Sequence, residues 1–513
     1  MSTIPDRTPV IVGVGQVVDR IEAGDYRALS AADLAAAAAE AAVADSGAAA
    51  ALVRPQLRVV GAVRTFEDSG AAPSPFGKPD KFPLAVARRL GVTPDHAILG
   101  KVGGDTPVSM VMELGDRILA GETEAAIAFG AEAISTTRHL SGRGETRDWA
   151  EHDEGTIDDR GLGYEGMLSA IAARHGVRGA PIAYALLENA RRARLGLSRE
   201  DYAREMGRLF APFTQVAAAN PWSCSASAAM TAEQIATPGE RNRTVADPYT
   251  LKLVARDQVN QGAAVLLMAA GAARAAGIPE KRWIFVHGAA LAVERELLDR
   301  PALDRYPAAD AAIASAFASA GKTAADMAAF DFYSCFPIPV FTAATEGLGL
   351  SGDDPRGLTV TGGLPYFGGA GNNYSMHAIA SMVDRLRRQS GSFGFVGANG
   401  GFQSKYGAMV LSGEPRAWPG CEKDGIQARL DAVPKPVITA QAQGTGTIGT
   451  YTVAHTKGVP TQGIAIGALA GGTRFIANPA DAATLARMAE TDPLGARVTL
   501  TAGEKTNTFV FAE

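Results

Sequence analysis

Cysteine is scarce in this chain: 513 residues hold only Cys224, Cys335 and Cys421. They lie far apart, odd in number and without a Cys-x-x-Cys pair, which excludes a disulfide framework and a cysteine-based zinc or redox motif. No apolar run reaches the roughly 20 residues of a membrane span. The start, "MSTIPDRTPVIVGVG", lacks the basic segment and apolar core of a signal peptide. Charge is not blocked either. The net value is −5, with both signs interspersed, which leaves no electrostatic footprint for nucleic acid or anionic lipid. These absences lead to an expectation of a cytoplasmic protein with no nucleic acid or membrane partner. No metal-ligand spacing, P-loop or Gly-x-Ser-x-Gly elbow is present, and no metal is expected.

What is present is enough chain for more than one core. At 53.0 kDa, two or three domains or a duplicated domain are expected. The first segments alternate apolar strands with helices: "PVIVGVGQ" (9–16), a helix opened by Ser30 and closed near Gly47, "LRVVGAVRTF" (57–66) and the helix "FPLAVARRLG" (82–91). That is the α/β pattern. "GVGQ" and "GGAGNN" are weak as dinucleotide fingerprints, because no acidic residue ends the following strand. Residues 135–250 break the rhythm with charged, glycine-rich loops and a helix pair, and read as an inserted cap.

An internal repeat is the strongest architectural signal. Residues 102–133 and 368–401 share one plan: glycine loop, helix start, amphipathic helix, glycine turn, buried strand, glycine. Two such halves would point two helix N-termini into one crevice. From about Pro419 the chain turns rich in Thr, Val, Ile and Gly with period-two alternation, the pattern of a small β-barrel of about 90 residues. The expected division is 1–134 with 251–275 as a first half, 135–250 as the cap, 276–418 as a second half and 419–513 as the barrel.

Four stretches in order, the loop-helix-strand ending "AIAFGAEA", "VNQGAAVLL" at 259–267, "FYSCFP" and the glycine loops of the second half, resemble the thiolase superfamily over residues 5–413. The likeness is greatest to its cysteine-lacking members with an additional C-terminal domain, many described as acetyl-CoA acetyltransferases. It implies a duplicated α/β/α/β/α fold with a C-terminal OB-like barrel, coenzyme A as acyl-CoA substrate or product, and a homodimer. The family's nucleophilic cysteine should lie within Gly103–Thr106, and a gapless count from Glu132 puts it at Gly104. Its absence excludes a cysteine acyl-enzyme there.

The resemblance also transfers the other positions. Tyr333, followed by Ser334, Cys335 and Phe336, stands where the family has Asn or His. Gly369 takes the place of the oxyanion-hole histidine, and His377 comes about two turns later. Asn399-Gly400-Gly401 replaces the Cys-x-Gly motif, so the base position cannot titrate. Thiolase-fold aldolases lacking the cysteine carry tyrosines like Tyr333 and Tyr374. The expected catalytic set is Tyr333, Tyr374, His377, Asn399 and Cys335, with Cys335 the best surviving thiol although packing explains it as well. Gly103, Gly104, Asp105, Thr106, Ser109, Gly369, Asn372, Asn373 and Gly401 are expected to bind substrate or an oxyanion at the helix starts. Thr106 reads as a helix N-cap, Ser109 as a first-turn hydroxyl, and Asn372 and Asn373 as caps of the second helix. The expected function is a CoA-dependent acyltransferase or carbon–carbon-bond-cleaving enzyme on a 3-oxoacyl or 3-hydroxyacyl group. The alternatives are a non-catalytic acyl-CoA-binding protein and a retro-aldolase.

Overall fold

The computed structural model describes residues 4–225 and 228–512. Two sheets form its centre. The first runs Pro9–Val18, Asn260–Ala269, Ala125–Ala133, Leu57–Ala62, His96–Leu99, Asp158–Asp159. The second, read from its far edge, runs Phe285–Val293, Lys405–Ser412, Phe393–Gly400, Met327–Phe332. In both, each of the first three strands is antiparallel to its neighbour among them, and the third pairs parallel with the fourth. Shared order and direction make the second sheet a repeat of the first. A bridge between Ile11 and Ile284 joins the edges of the two.

Local sequence places the helices. Ala31–Asp45 begins at a Ser30–Asp33 capping box and buries an alanine face on the first sheet. Gly13 in the strand beneath lets it approach, since a Cβ there would come 3.0 Å from the Ala42 carbonyl carbon. Gly288 does the same under Pro307–Ala320, where a Cβ would come 3.1 Å from the Ala316 carbonyl carbon. Thr106–Ala120 and Tyr374–Arg388 lie between the sheets in one apolar cluster with both. Helix, sheet, helix pair, sheet, helix is the layered α/β arrangement expected from the resemblance.

The 135–250 segment supplies Ala180–Leu195 and Arg199–Ala219, the latter opened by Ser198. The C-terminal region closes into a five-stranded barrel: Gly444–Thr456, Val459–Leu469, Arg474–Pro479, Thr508–Phe511, Arg497–Thr501, and back to the first. Two short cap strands, Thr244–Ala246 and Tyr249–Thr250, extend its sheet through Ala246 and Ala454, a link that sequence alone did not reveal. Arg192, fully buried, forks onto Asp492 at 2.6 and 2.8 Å. The Asn189 amide donates to the Tyr451 and Asp247 carbonyls. Cap and barrel are thus pinned by bidentate and charge-assisted bonds, which are stronger than neutral ones. Among the described residues no single helix is long and apolar enough to cross a membrane.

Candidate active site

The loops after strands 327–332 and 393–400 meet the starts of helices 106–120 and 374–388. Gly104 is the tightest point. A Cβ built on it would come within 2.5 Å of Tyr333 Cζ and of the Asn399 carbonyl oxygen. The Tyr333 ring therefore fills the volume that a cysteine side chain would need, and no relaxation of a flexible tip would clear it. The Tyr333 hydroxyl makes no hydrogen bond to any described residue, and the ring stands edge-on to Tyr374 at 5.3 Å. Burial, with Cys335 and Asp105 nearby, pushes its phenol well above the ordinary value, so it stays protonated.

Asp105, half-buried, sends Oδ1 into the same place. That oxygen is enclosed and without a partner, wedged between Gly103 and Gly400, where a Cβ on either would strike it. Desolvation raises its carboxyl, opposed by Lys405. The Lys405 ammonium donates to the carbonyls of Val102 at 2.8 Å and Gly163 at 2.9 Å, while its stem covers Gly103. The sequence marks Asp105 but offers no sign of Lys405, which arrives from a strand 300 residues away.

The two halves are stitched by side chains. Asn372 accepts from Gly103 N–H at 2.9 Å and donates to the Arg64 carbonyl at 2.8 Å. Asn373 donates to the Gly130 carbonyl, and Ser375 to that of Gly104 at 2.6 Å. This corrects the capping expectation: neither Asn372 nor Asn373 caps its own helix, because both amides are drawn to unpaired backbone groups of the first half. Thr106 is likewise no N-cap. It is the first helical residue after Asp105, and its hydroxyl donates to the Lys101 carbonyl. Ser109 is a first-turn hydroxyl, donating to the Thr106 carbonyl. With Gly103 N–H taken by Asn372 and Thr106 N–H by the Gly103 carbonyl, Gly104 keeps an amide without a partner among the described residues.

Several expected catalysts are committed elsewhere. The Tyr374 hydroxyl lies 2.5 Å from Thr361 Oγ1 and donates to Asp331 at 3.2 Å, inside a sealed network in which Asp331 also accepts from Thr359, Val360 and Thr361. His377 faces Gln16, with Nδ1 at 2.8 Å from its Oε1 and Nε2 enclosed without a partner. Burial lowers its imidazole to about 3, so it is neutral. Gly369 donates its amide to the Arg256 carbonyl at 2.8 Å. Asn399 donates to Tyr184 Oη at 2.7 Å and accepts from Tyr306 Oη at 3.0 Å. Burial pushes the Cys335 thiol up to about 12, which disfavours the reactive thiolate and agrees with packing as its role.

Tyr184, from the cap, is a site residue that sequence reasoning missed. Its hydroxyl donates to the Gly401 carbonyl at 2.8 Å and accepts from Asn399 and from Gln403 N–H, while its ring stacks on Phe336 at 4.5 Å. It roofs the Asn399 corner and pins the loop carrying Gln403, a non-glycine residue at φ +50°.

A monomeric SCP2-thiolase-like protein type 1 from Mycobacterium smegmatis is 43% identical to the chain, covers 99% of this chain and 100% of that one, and has a TM-score of 0.85. The chain belongs to that family. The family profile described as the thiolase-like protein type 1 additional C-terminal domain matches residues 425–505, within the barrel region. The chain also resembles, in fold alone, an Ltp2-ChsH2(DUF35) aldolase at 20% identity and TM-score 0.55 and an acetyl-CoA acetyltransferase from Syntrophomonas wolfei at 15% and 0.53. Each match covers 80% of this chain, with 99% and 100% of those chains. No curated protein matches.

That the Mycobacterium smegmatis relative is monomeric stands against the homodimer expected for this SCP2-thiolase-like chain. The outer edge of the first sheet, at His96–Leu99, is paired with the chain's own Asp158–Asp159 and bordered by the Arg64–Asp159 ion pair. Short, charged, covered edges resist pairing with a second copy.

Proposed function

We propose that this protein binds an acyl-CoA in the crevice between its halves and cleaves a carbon–carbon bond of a 3-hydroxyacyl group by a non-covalent retro-aldol step. The observation that carries this reading is the Tyr333 ring in the cysteine's volume, its hydroxyl uncommitted, beside the enclosed Asp105 carboxyl. Acyl transfer needs a nucleophile, and none stands at Gly104. A retro-aldol step needs only a proton acceptor and a proton donor. Asp105 takes the proton of the 3-hydroxyl as the C2–C3 bond breaks. C3 becomes a carbonyl, and the electron pair passes through C2 to the thioester oxygen, which the free Gly104 N–H and the Tyr333 phenol hold. Tyr333 then protonates C2, and Asp105 returns its proton to the phenol.

The test is product analysis with a panel of 3-hydroxyacyl-CoA thioesters. Conversion to a shortened acyl-CoA and a carbonyl compound is expected. Tyr333→Phe should lower kcat by about 100-fold or more, the scale of one lost acid–base group, with CoA affinity kept within about threefold. A second reading, an acyl-CoA-binding protein without turnover, is favoured by the closure under Tyr184 and by the commitment of Tyr374, His377 and Asn399. Tight binding without product across the panel would select it, and no CoA binding at all would remove both.

A further inference from the structure

The duplication places a second crevice at the mate of the first, beside the end of strand 125–133. It holds a cavity of about 280 Å³ bounded by Glu67, Ser74, Glu132, Thr137, Arg138 and Trp149, with alanines, Pro73 and Ile134 between them. Glu132 is 2% exposed. Its Oε1 accepts from Phe66 N–H at 2.7 Å, and its Oε2 accepts from no described residue. Oε1 of Glu67 is enclosed and without a partner. Two carboxyls that share one small cavity without a dedicated cation are expensive to ionise. The neighbouring charges are already used: Lys78 pairs with Asp68, Arg64 with Asp68 and Asp159, and Arg138 with Asp257 at the mouth.

We infer that this cavity is a binding site for a small organic ammonium ligand, its charged head between Glu67 and Glu132 and its short hydrocarbon body against the alanines, Pro73 and the Trp149 indole. An ammonium supplies the missing hydrogen-bond donors and charge together, and an indole wall favours a cation. A bound metal ion fits less well: no group of three or more His, Cys, Asp or Glu is assembled among the described residues. Burial holds Glu67 up at about 7 and Glu132 at about 8, so a cation must displace protons to enter. The site is independent of the proposed thioester chemistry.

Calorimetry on the full chain with n-propylammonium, and with n-propanol as its uncharged isostere, tests the inference. The amine should bind at about pH 9 and lose roughly tenfold or more in affinity by about pH 6, since each unit of pKa displacement is tenfold. The alcohol should bind at least about tenfold more weakly at the higher pH. Glu132→Gln, which keeps the acceptor for Phe66, and Glu67→Gln should each weaken the amine about fivefold or more. Equal binding of amine and alcohol, amine affinity unmoved by either variant, or no amine binding at tens of millimolar would overturn the assignment.

Discussion

The two crevices are built from matching backbone parts that carry different side chains. Val63 and Tyr333 follow equivalent strands, each donating its amide to the next strand, at Phe129 and Gly397. Phe66 and Phe336 come three residues later in each. Gly104 and Asn372 sit two residues before equivalent helices. The first crevice encloses the Asp105 carboxyl, and the second holds two, Glu67 and Glu132, the latter packed against Gly371. Tyr333 fills its crevice to contact with Gly104, whereas Val63 packs against Gly130 and the open cavity lies further out, beside Glu67 and Glu132. The scaffold thus holds a crevice at Gly104 that Tyr333 makes solid and, in the other half, a cavity beside Glu132.

The sharpest way to break this comparison is Gly104→Cys. The Cβ would run into the Tyr333 ring and the Asn399 carbonyl, so a loss of about 3 kcal/mol is expected, at the upper end for overpacking a core. The midpoint of urea unfolding measures it. Gly104→Cys combined with Tyr333→Ala should recover most of that loss, because the ring is the larger obstacle. A single variant as stable as the parent would mean that Tyr333 does not occupy the cysteine's space.

The open crevice should show itself through pH. The folded-state value of Glu132, about 8, lies above its ordinary 4.5, so the folded protein holds this proton after the unfolded chain has released it. The contribution is therefore full below about pH 4.5 and falls as pH rises toward about 8. The whole displacement sets an upper limit of about 5 kcal/mol, and roughly 2 is expected because the surroundings of a buried charge relax. Glu132→Gln should match the parent near pH 4 and exceed it in stability by roughly that amount at about pH 8, in denaturant titrations at both. A constant difference across the range would contradict a buried, proton-holding carboxyl.

The duplication was legible because glycine loop, helix, glycine and apolar strand recur with nearly equal spacing, a signal that survives without side-chain identity. The contacts were not. An asparagine before a helix looks the same whether its amide turns to its own first turn or, as at Asn372 and Asn373, to the facing half. Tyr184 lies in a cap helix whose sequence gives no sign that its hydroxyl ends on Asn399 and Gly401. Lys405 stands at the start of a strand, where its stem reads as an exposed edge residue. Tyr333 was visible as a phenol, but that its ring fills the space beside Gly104 is apparent only in three dimensions.

Ser109 provides the smallest and most discriminating contrast, because it is the helix-register mate of His377. Its hydroxyl donates only to the Thr106 carbonyl, a local bond that competes with water and stabilises little. His377 is wholly buried against Gln16 and Phe367. Ser109→Ala should therefore change stability by no more than about 0.5 kcal/mol, as expected where no buried partner is orphaned, and should leave acyl-CoA affinity unchanged in a parallel titration. A larger cost in stability would mean that the first helix start carries a buried polar anchor like the one at His377. A large loss of affinity with stability intact would place this hydroxyl on the substrate.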